Sequence, residues 1–296
     1  MNTNSVAVLG PPGTYSHFAY QRLCTEAPFH FGAVLFQKSI SDVFRSVVSG
    51  VSQYGIVPFR NTRSGLVDES ITCFLHMDEN DRVYVVGTLY VPITYFLWVN
   101  DSVKCLSDIE EVYSRQEAII QCKKTLQGMG LSHYHYVEST ASGFEIAKNT
   151  SRKAALGGTL GSEFGLRPIA SGVEDVPGNT TAFYIIGKDE EVIVGEPESI
   201  SLVFELENNV GALNRVTALC SSFFWNITYI QSLTTKSLHS LAFVFEATQE
   251  SDLRFVLDKQ TGYMVSGRLS MSDFIAMLRK VTSRLVVLGK GLRIYR

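Results

Sequence analysis

The 296 residues carry 26 Lys and Arg against 29 Asp and Glu, a formal charge of -3, and 45% of them are apolar. That balance excludes the basic excess a nucleic-acid surface needs and leaves a small molecule as the expected partner. The five cysteines include no Cys-x-x-Cys pair, which excludes a disulfide framework or zinc site and fits a reducing, cytoplasmic setting. The length suits about two domains. The first residues lack the basic start of a signal peptide, and no apolar run approaches the roughly 18 to 20 residues of a membrane span, so no membrane partner is expected.

In chain order, Val6-Ala7-Val8-Leu9 reads as a short buried strand ended by the turn Gly10-Pro11-Pro12-Gly13. Thr14 is placed to cap a helix over 15–23, and a glycine turn entering a helix offers backbone N–H groups to an anion. The Gly-Lys-Ser/Thr ending of a phosphate loop is absent. A strand at 33–36, a helix at 39–48 and a strand at 54–59 follow. A polar loop, Arg60 to Gly65, then leads into an amphipathic helix over 66–75. From Tyr84 to Val99 the pattern is β-rich, and Pro92 marks a crossover between two lobes. A second series has strands at 112–114, 134–137 and 153–157 with helices at 116–126 and from Ser139 through Ala147.

Repeated short strands and helices predict mostly parallel sheets, whose ligands sit at the strand C-terminal ends. The polar clusters at 10–17, 60–65, 114–117, 139–142 and 178–183 all fall there. The last is Gly178-Asn179-Thr180-Thr181-Ala182-Phe183, where two threonines follow a Pro-Gly turn and the chain then turns aromatic and β-branched, as at a strand mouth. His17 reads as a capping or packing residue, His133 and His135 as one polar strand face, Trp98 and Trp225 as core, and Glu110-Glu111 as a solvated loop. A charged Gly- and Pro-bearing linker at 189–199 precedes strands at 200–206, 227–231, 240–245 and 285–288, with helices opening at Gly211 and spanning 273–281. That is the βαββαβ order of a ferredoxin-like domain.

Five motifs in order resemble those of the prephenate dehydratase family: Gly10-Pro11-Pro12-Gly13-Thr14-Tyr15-Ser16-His17, Tyr54 through Thr62 with Gly65, Tyr113-Ser114, Ser139-Thr140-Ala141, and Gly178 through Phe183. The tail, with Gly211-Ala212-Leu213 and Leu288-Gly289, resembles the family's ACT regulatory domain. The resemblance implies an α/β chain with a two-lobed, periplasmic-binding-protein-like catalytic domain at 1–188 (lobes about 1–91 with 176–188, and 92–175). A ferredoxin-like ACT domain at 200–296 would follow. It implies conversion of prephenate, or of arogenate, to an aromatic product by loss of CO2 and the ring hydroxyl, with no cofactor. It also implies a homodimer or homotetramer with a possible amino-acid effector. By resemblance Thr181 donates the proton. Thr14, Ser16, Arg60, Asn61, Thr62, Ser114, Arg115, Ser139, Thr140, Ala141, Thr180 and Phe183 form the substrate site, and Gly211, Ala212, Leu213, Gln231 and Ser232 the effector site.

The chain departs from the family at several of these places. The arginine of a Thr-Thr-Arg-Phe run is Ala182, the acid of a Glu-Asn-Ser loop is Arg60, a Tyr-Ser-His-Pro-Gln turn reads Tyr113-Ser114-Arg115-Gln116-Glu117, and the ACT Glu-Ser-Arg-Pro signature reads Gln231-Ser232-Leu233-Thr234. Loss of one arginine bonded to a carboxylate costs ~1.5–3 kcal/mol, so Arg60 or Arg115 is expected to supply the missing charge unless the site has drifted. Two other readings stay open. One is a decarboxylase-like enzyme that keeps the ring hydroxyl; the other is a binding or regulatory paralogue without chemistry.

Overall fold

The computed structural model describes residues 5–26, 32–77, 81–188, 199–233, 240–249, 256–257, 264–265 and 271–294. The expected linker at 189–199 lies outside them, apart from Ser199. Two compact units are formed, one by Met1–Arg82, Thr88–Lys188 and Ile294–Arg296, the other by Val83–Gly87 and Asp189–Arg293. No helix among the described residues is long and apolar enough to cross a membrane.

The first unit has two lobes. In lobe 1, the buried run β1 (Val6–Leu9) pairs in parallel with β2 (Val34–Gln37) and β3 (Tyr54–Asn61). The late strand β11 (Thr180–Gly187) returns antiparallel beside β3, between it and β5 (Tyr84–Pro92), and a short β4 (Gly65–Leu66) folds back on the end of β3. The sheet is therefore mixed where a mostly parallel one was expected. Helix α1 (Tyr15–Glu26) follows β1, and α2 (Ile40–Val48) starts where Ser39 Oγ accepts the Asp42 N–H. Its face of Ile40, Val43, Phe44 and Val47 is buried. It lies so close to β3 that a Cβ on Gly55 would stand 2.8 Å from Val43. Helix α3 (Asp68–Leu75) adds Phe74, which meets Phe44 and Tyr184 edge-on, while Phe59 stacks on Tyr184 at 3.9 Å. Burying each such ring contributes roughly 1.5–3 kcal/mol.

Lobe 2 is a five-stranded sheet in the order β10 (Arg167–Ser171), β6 (Phe96–Val99), β9 (Lys153–Gly157), β7 (Glu111–Ser114), β8 (Tyr134–Tyr136). Helix α4 (Gln116–Gly128) joins β7 to β8, and α5 (Thr140–Asn149), capped by Ser139, joins β8 to β9. Its core gathers Trp98, Phe144 and Leu166. The turn Thr159–Phe164 is pressed onto Trp98, so a Cβ on Gly161 would fall 2.2 Å from the indole. Of Glu110-Glu111, expected in a solvated loop, Glu110 is exposed in the loop before the strand, while Glu111 opens β7. Glu111 binds Lys153 at 2.8 Å and accepts from the Tyr113 hydroxyl at 2.6 Å, and Lys153 and then Tyr113 hold its carboxyl down to about 2. His135 stacks on Tyr113 at 4.8 Å, part of the polar strand face expected for it.

The second unit runs β12 (Ser199–Glu207), α6 (Ala212–Ser222), β13 (Trp225–Leu233), β14 (Ser240–Gln249), a small hairpin β15–β16 (Val256–Leu257, Met264–Val265), α7 (Met271–Val281) and β17 (Arg284–Ile294). Its strands are ordered β13-β14-β12-β17. Apart from the hairpin this is the βαββαβ order. β17 outlasts its expected end at 288 because a register shift between Ser201 and Leu202 carries the pairing through Gly289. Trp225, Phe204 and Phe274 fill the core, and Trp225 stacks on Phe274.

Candidate active site

Because β11 is antiparallel to β3, its first residues lie beside the last residues of β3, and the register sets Thr181 opposite Asn61. The Asn61 amide nitrogen donates to Thr181 Oγ1 at 2.9 Å and to Asn179 Oδ1 at 2.7 Å. The other end of the amide fixes this orientation, since Asn61 Oδ1 accepts the backbone N–H groups of Arg63 (2.9 Å) and Ser64 (3.1 Å). An amide nitrogen could not take that place. Thr181 Oγ1 is thus an acceptor toward Asn61, and its own proton is directed elsewhere. Thr181 is 8% exposed, whereas the next five residues of β11 are at most 2% exposed, so it is the last side chain before the core.

The network extends into the second lobe. Asn179, nearly fully buried, donates through Nδ2 to Gln121 Oε1 of α4 at 3.0 Å, and its carbonyl accepts from Ile93 N–H at 2.8 Å. Thr62 Oγ1 donates to Asn179 Oδ1 and accepts from Thr180 N–H at 3.0 Å. Asp175 clamps α4 at the same level: its N–H donates to the Gln121 carbonyl, and its carboxylate accepts the Lys124 and Thr125 N–H groups at 3.1 and 2.8 Å. Burial pushes the Asp175 carboxyl up, but the Thr125 and Lys124 N–H groups outweigh it and the net shift is down. Asn179, Gln121 and Asp175 were missed as site residues. Asn179 carried a signal, lying inside the Gly-Asn-Thr-Thr run, while Gln121 sits within a helix and carried none.

A second group closes the other side. Tyr15 donates to the Thr94 carbonyl at 2.8 Å, meets Tyr95 edge-on, and its ring covers Gly158 so closely that a Cβ there would be 2.9 Å away. Gly13 (φ +88) rests on Phe164 and Ala141. Burial raises the Tyr15 and Tyr95 phenols and pushes the Cys122 thiol up to about 12, so none of the three ionises near neutral pH.

The remaining expected residues divide. Thr14 caps α1, accepting from His17 N–H and donating to the Leu9 carbonyl. Ser139 accepts from Ser142 N–H, the Thr140 methyl abuts Gly157, and Ser16 is buried. Arg115 stands at the N-cap of α4 with its Nε 3.4 Å from Glu117. Two expectations are corrected. Ser114 is fully buried and donates to the Leu156 carbonyl at 2.6 Å, tying β7 to β9, and Phe183 is a core side chain, 2% exposed. The glycine turn offers fewer amides than expected, since Gly10 N–H bonds the Gln37 carbonyl, Gly13 N–H bonds His17 Nδ1, and the two prolines have none. In the second unit Gly211 is left-handed (φ 79) at the N-cap of α6, Ala212 is buried and Leu213 packs on the core. There the Tyr229 hydroxyl bonds Gln231, while Ser232 is exposed. Among the described residues no group of three or more His, Cys, Asp or Glu is arranged to hold a metal ion.

The chain is similar to the bifunctional chorismate mutase/prephenate dehydratase of Stutzerimonas stutzeri, 31% identical over 241 residues, covering 78% of this chain and 61% of that protein. The chain therefore spans about three fifths of that relative's length. Among solved structures it resembles the prephenate dehydratase of Arthrobacter aurescens in complex with L-Phe (TM-score 0.75, 21% identity, 98% of this chain and 90% of that one). It also resembles the quorum-quenching acylase GqqA (TM-score 0.75, 18% identity, 97% and 98%). At such identities the structures speak for the fold alone. The family model for prephenate dehydratase matches residues 6–191, which hold both lobes and the whole Thr181 network, and the chain accordingly belongs to the prephenate dehydratase family.

Proposed function

We propose that the chain decarboxylates and dehydrates prephenate to phenylpyruvate, with Thr181 as the proton donor. The observation that carries this is the Asn61–Thr181 hydrogen bond. In the reaction the ring carboxylate leaves as CO2, its electron pair aromatises the ring, and the C–O bond to the hydroxyl breaks as that oxygen takes a proton and departs as water. A threonine hydroxyl is a weak acid, so it must be aimed and its developing negative charge must be stabilised. The Asn61 N–H does both: it occupies the acceptor side of Oγ1, leaving the proton for the ligand, and it donates to the oxygen as charge builds. The fold alone does not choose this activity, since an acylase shares it.

The register also bears on the altered cations. Opposed residues share a face and successive residues alternate. Arg60 pairs with Ala182, one step from the Asn61–Thr181 pair, and so occupies the opposite face. The loss of an acid at 60 and of an arginine at 182 is then a cross-strand change on the face away from Thr181, so Arg60 does not supply a charge there, and Arg115 at the N-cap of α4 stays as the cation proposed for a substrate carboxylate. A turnover assay with prephenate and arogenate tests the function. Aromatic absorbance appearing with CO2 release is expected. Release of CO2 without an aromatic product would replace this reading with the decarboxylase one, and binding without turnover would replace it with the paralogue.

We infer also that the second unit is an ACT-type regulatory domain, supported by its βαββαβ order and by Gly211 at the start of α6. With Gln231-Ser232-Leu233 where the family has Glu-Ser-Arg, phenylalanine at micromolar levels should leave the melting temperature within about 1 °C. A ligand at 100 times its Kd adds about 2.7 kcal/mol and would move it by several degrees.

A further inference from the structure

His17 braces the Gly13 turn, which lies at the seam between the lobes, through a local bond. Its Nδ1 accepts the Gly13 N–H at 3.2 Å, so the ring must be neutral with its proton on Nε2. Gly13 is where lobe 1 meets Phe164 and Ala141 of lobe 2: its φ of +88 disfavours a side chain, and a Cβ there would lie 2.9 Å from the Phe164 ring and 3.5 Å from the Ala141 methyl. One turn further along α1, Gln21 donates to Glu163, again across the seam. The His17 ring is walled by Phe36 of β2, edge-on at 5.0 Å, and by Tyr20 of its own helix. Among the described residues, Glu163 is the charged group whose field acts on it, favouring protonation, while burial opposes it more strongly and draws the imidazole below its ordinary range.

We propose that neutral His17 is a positioning residue, holding the Gly13 turn in the shape that seats it on Ala141 and Phe164, so that closure of the two lobes depends on His17 being unprotonated. Protonation would put an N–H on Nδ1 facing the Gly13 N–H. Two donors cannot share that contact, and the imidazolium would be drawn toward Glu163, in competition with Gln21. Both effects release the turn.

The proposal rests on the dehydratase reading only for its rate readout, so the test has two arms on the full chain. In the first, the Gly13 amide resonance of ¹⁵N-glycine-labelled protein is followed from pH 7.5 to 5. It should titrate as a single proton with a midpoint below 6.5 in the wild type and stay flat in His17→Gln, whose side-chain oxygen accepts but does not titrate. In the second, kcat/KM for prephenate should fall on the same midpoint in the wild type, mainly through KM. His17→Gln should lose that acid limb while keeping turnover within about threefold at pH 7.5, whereas His17→Leu should lose at least tenfold. A Gly13 amide that does not titrate in the wild type, or an acid limb unchanged in His17→Gln, overturns the proposal. A titrating amide in a protein with no turnover sinks the dehydratase reading and leaves the latch standing.

Discussion

Thr181→Val should lower kcat for prephenate by about 100- to 10,000-fold, the range that a positioned proton donor supplies, while KM stays near its wild-type value. Valine keeps the β-branched shape that suits the first residues of β11, so folding should hardly change. What disappears is the proton, together with the acceptor that the Asn61 amide uses. Thr181→Ser keeps both and should stay within about tenfold of wild type, a barrier difference of at most ~1.4 kcal/mol. Stopped assays of kcat and KM for the two variants, with melting curves beside them, make the comparison. If Thr181→Val turns prephenate over as the wild type does, the donor lies elsewhere.

Asn61→Asp should be nearly as damaging to rate, and should also cost ~1–3 kcal/mol of stability, because its second carboxylate oxygen would stand against Asn179 Oδ1, which accepts the Asn61 amide at 2.7 Å. An aspartate oxygen at the Oδ1 position still accepts the Arg63 and Ser64 N–H groups, so the loop after β3 keeps its anchor. The second oxygen, however, can only accept, and it would draw the Thr181 proton toward itself and away from the ligand. Removing one donor to a developing oxyanion lowers kcat by about 100- to 1,000-fold, and the misdirected proton acts in the same direction. Asn61→Ala tests the loop anchor instead, because it leaves the Arg63 and Ser64 N–H groups without their acceptor, at a cost of ~1–3 kcal/mol. An Asn61→Asp protein with wild-type kcat would show that the amide does not orient the hydroxyl.

The sequence was a good guide to local structure and a partial guide to the site. Nearly every expected strand and helix is present within a few residues, and Thr14 caps the first helix as its side chain suggested. Apolar period and capping chemistry are local properties, so they can be read locally. The strand direction of β11 was not, and it matters most, because only an antiparallel return brings Thr181 beside Asn61.

What the chain alone determined is the set of elements and the two-part organisation. Tertiary structure decided which polar side chains at the strand ends are closed off by the protein itself. Ser114 and Asn61 both end a strand beside polar residues, yet one hydroxyl is closed off by a carbonyl 42 positions away while the other side chain bonds a threonine 120 positions away. Hydrogen-bond partners so distant leave no trace in residue type or spacing, because it is the sheet pairing, set by burial of the whole apolar face, that brings them within reach.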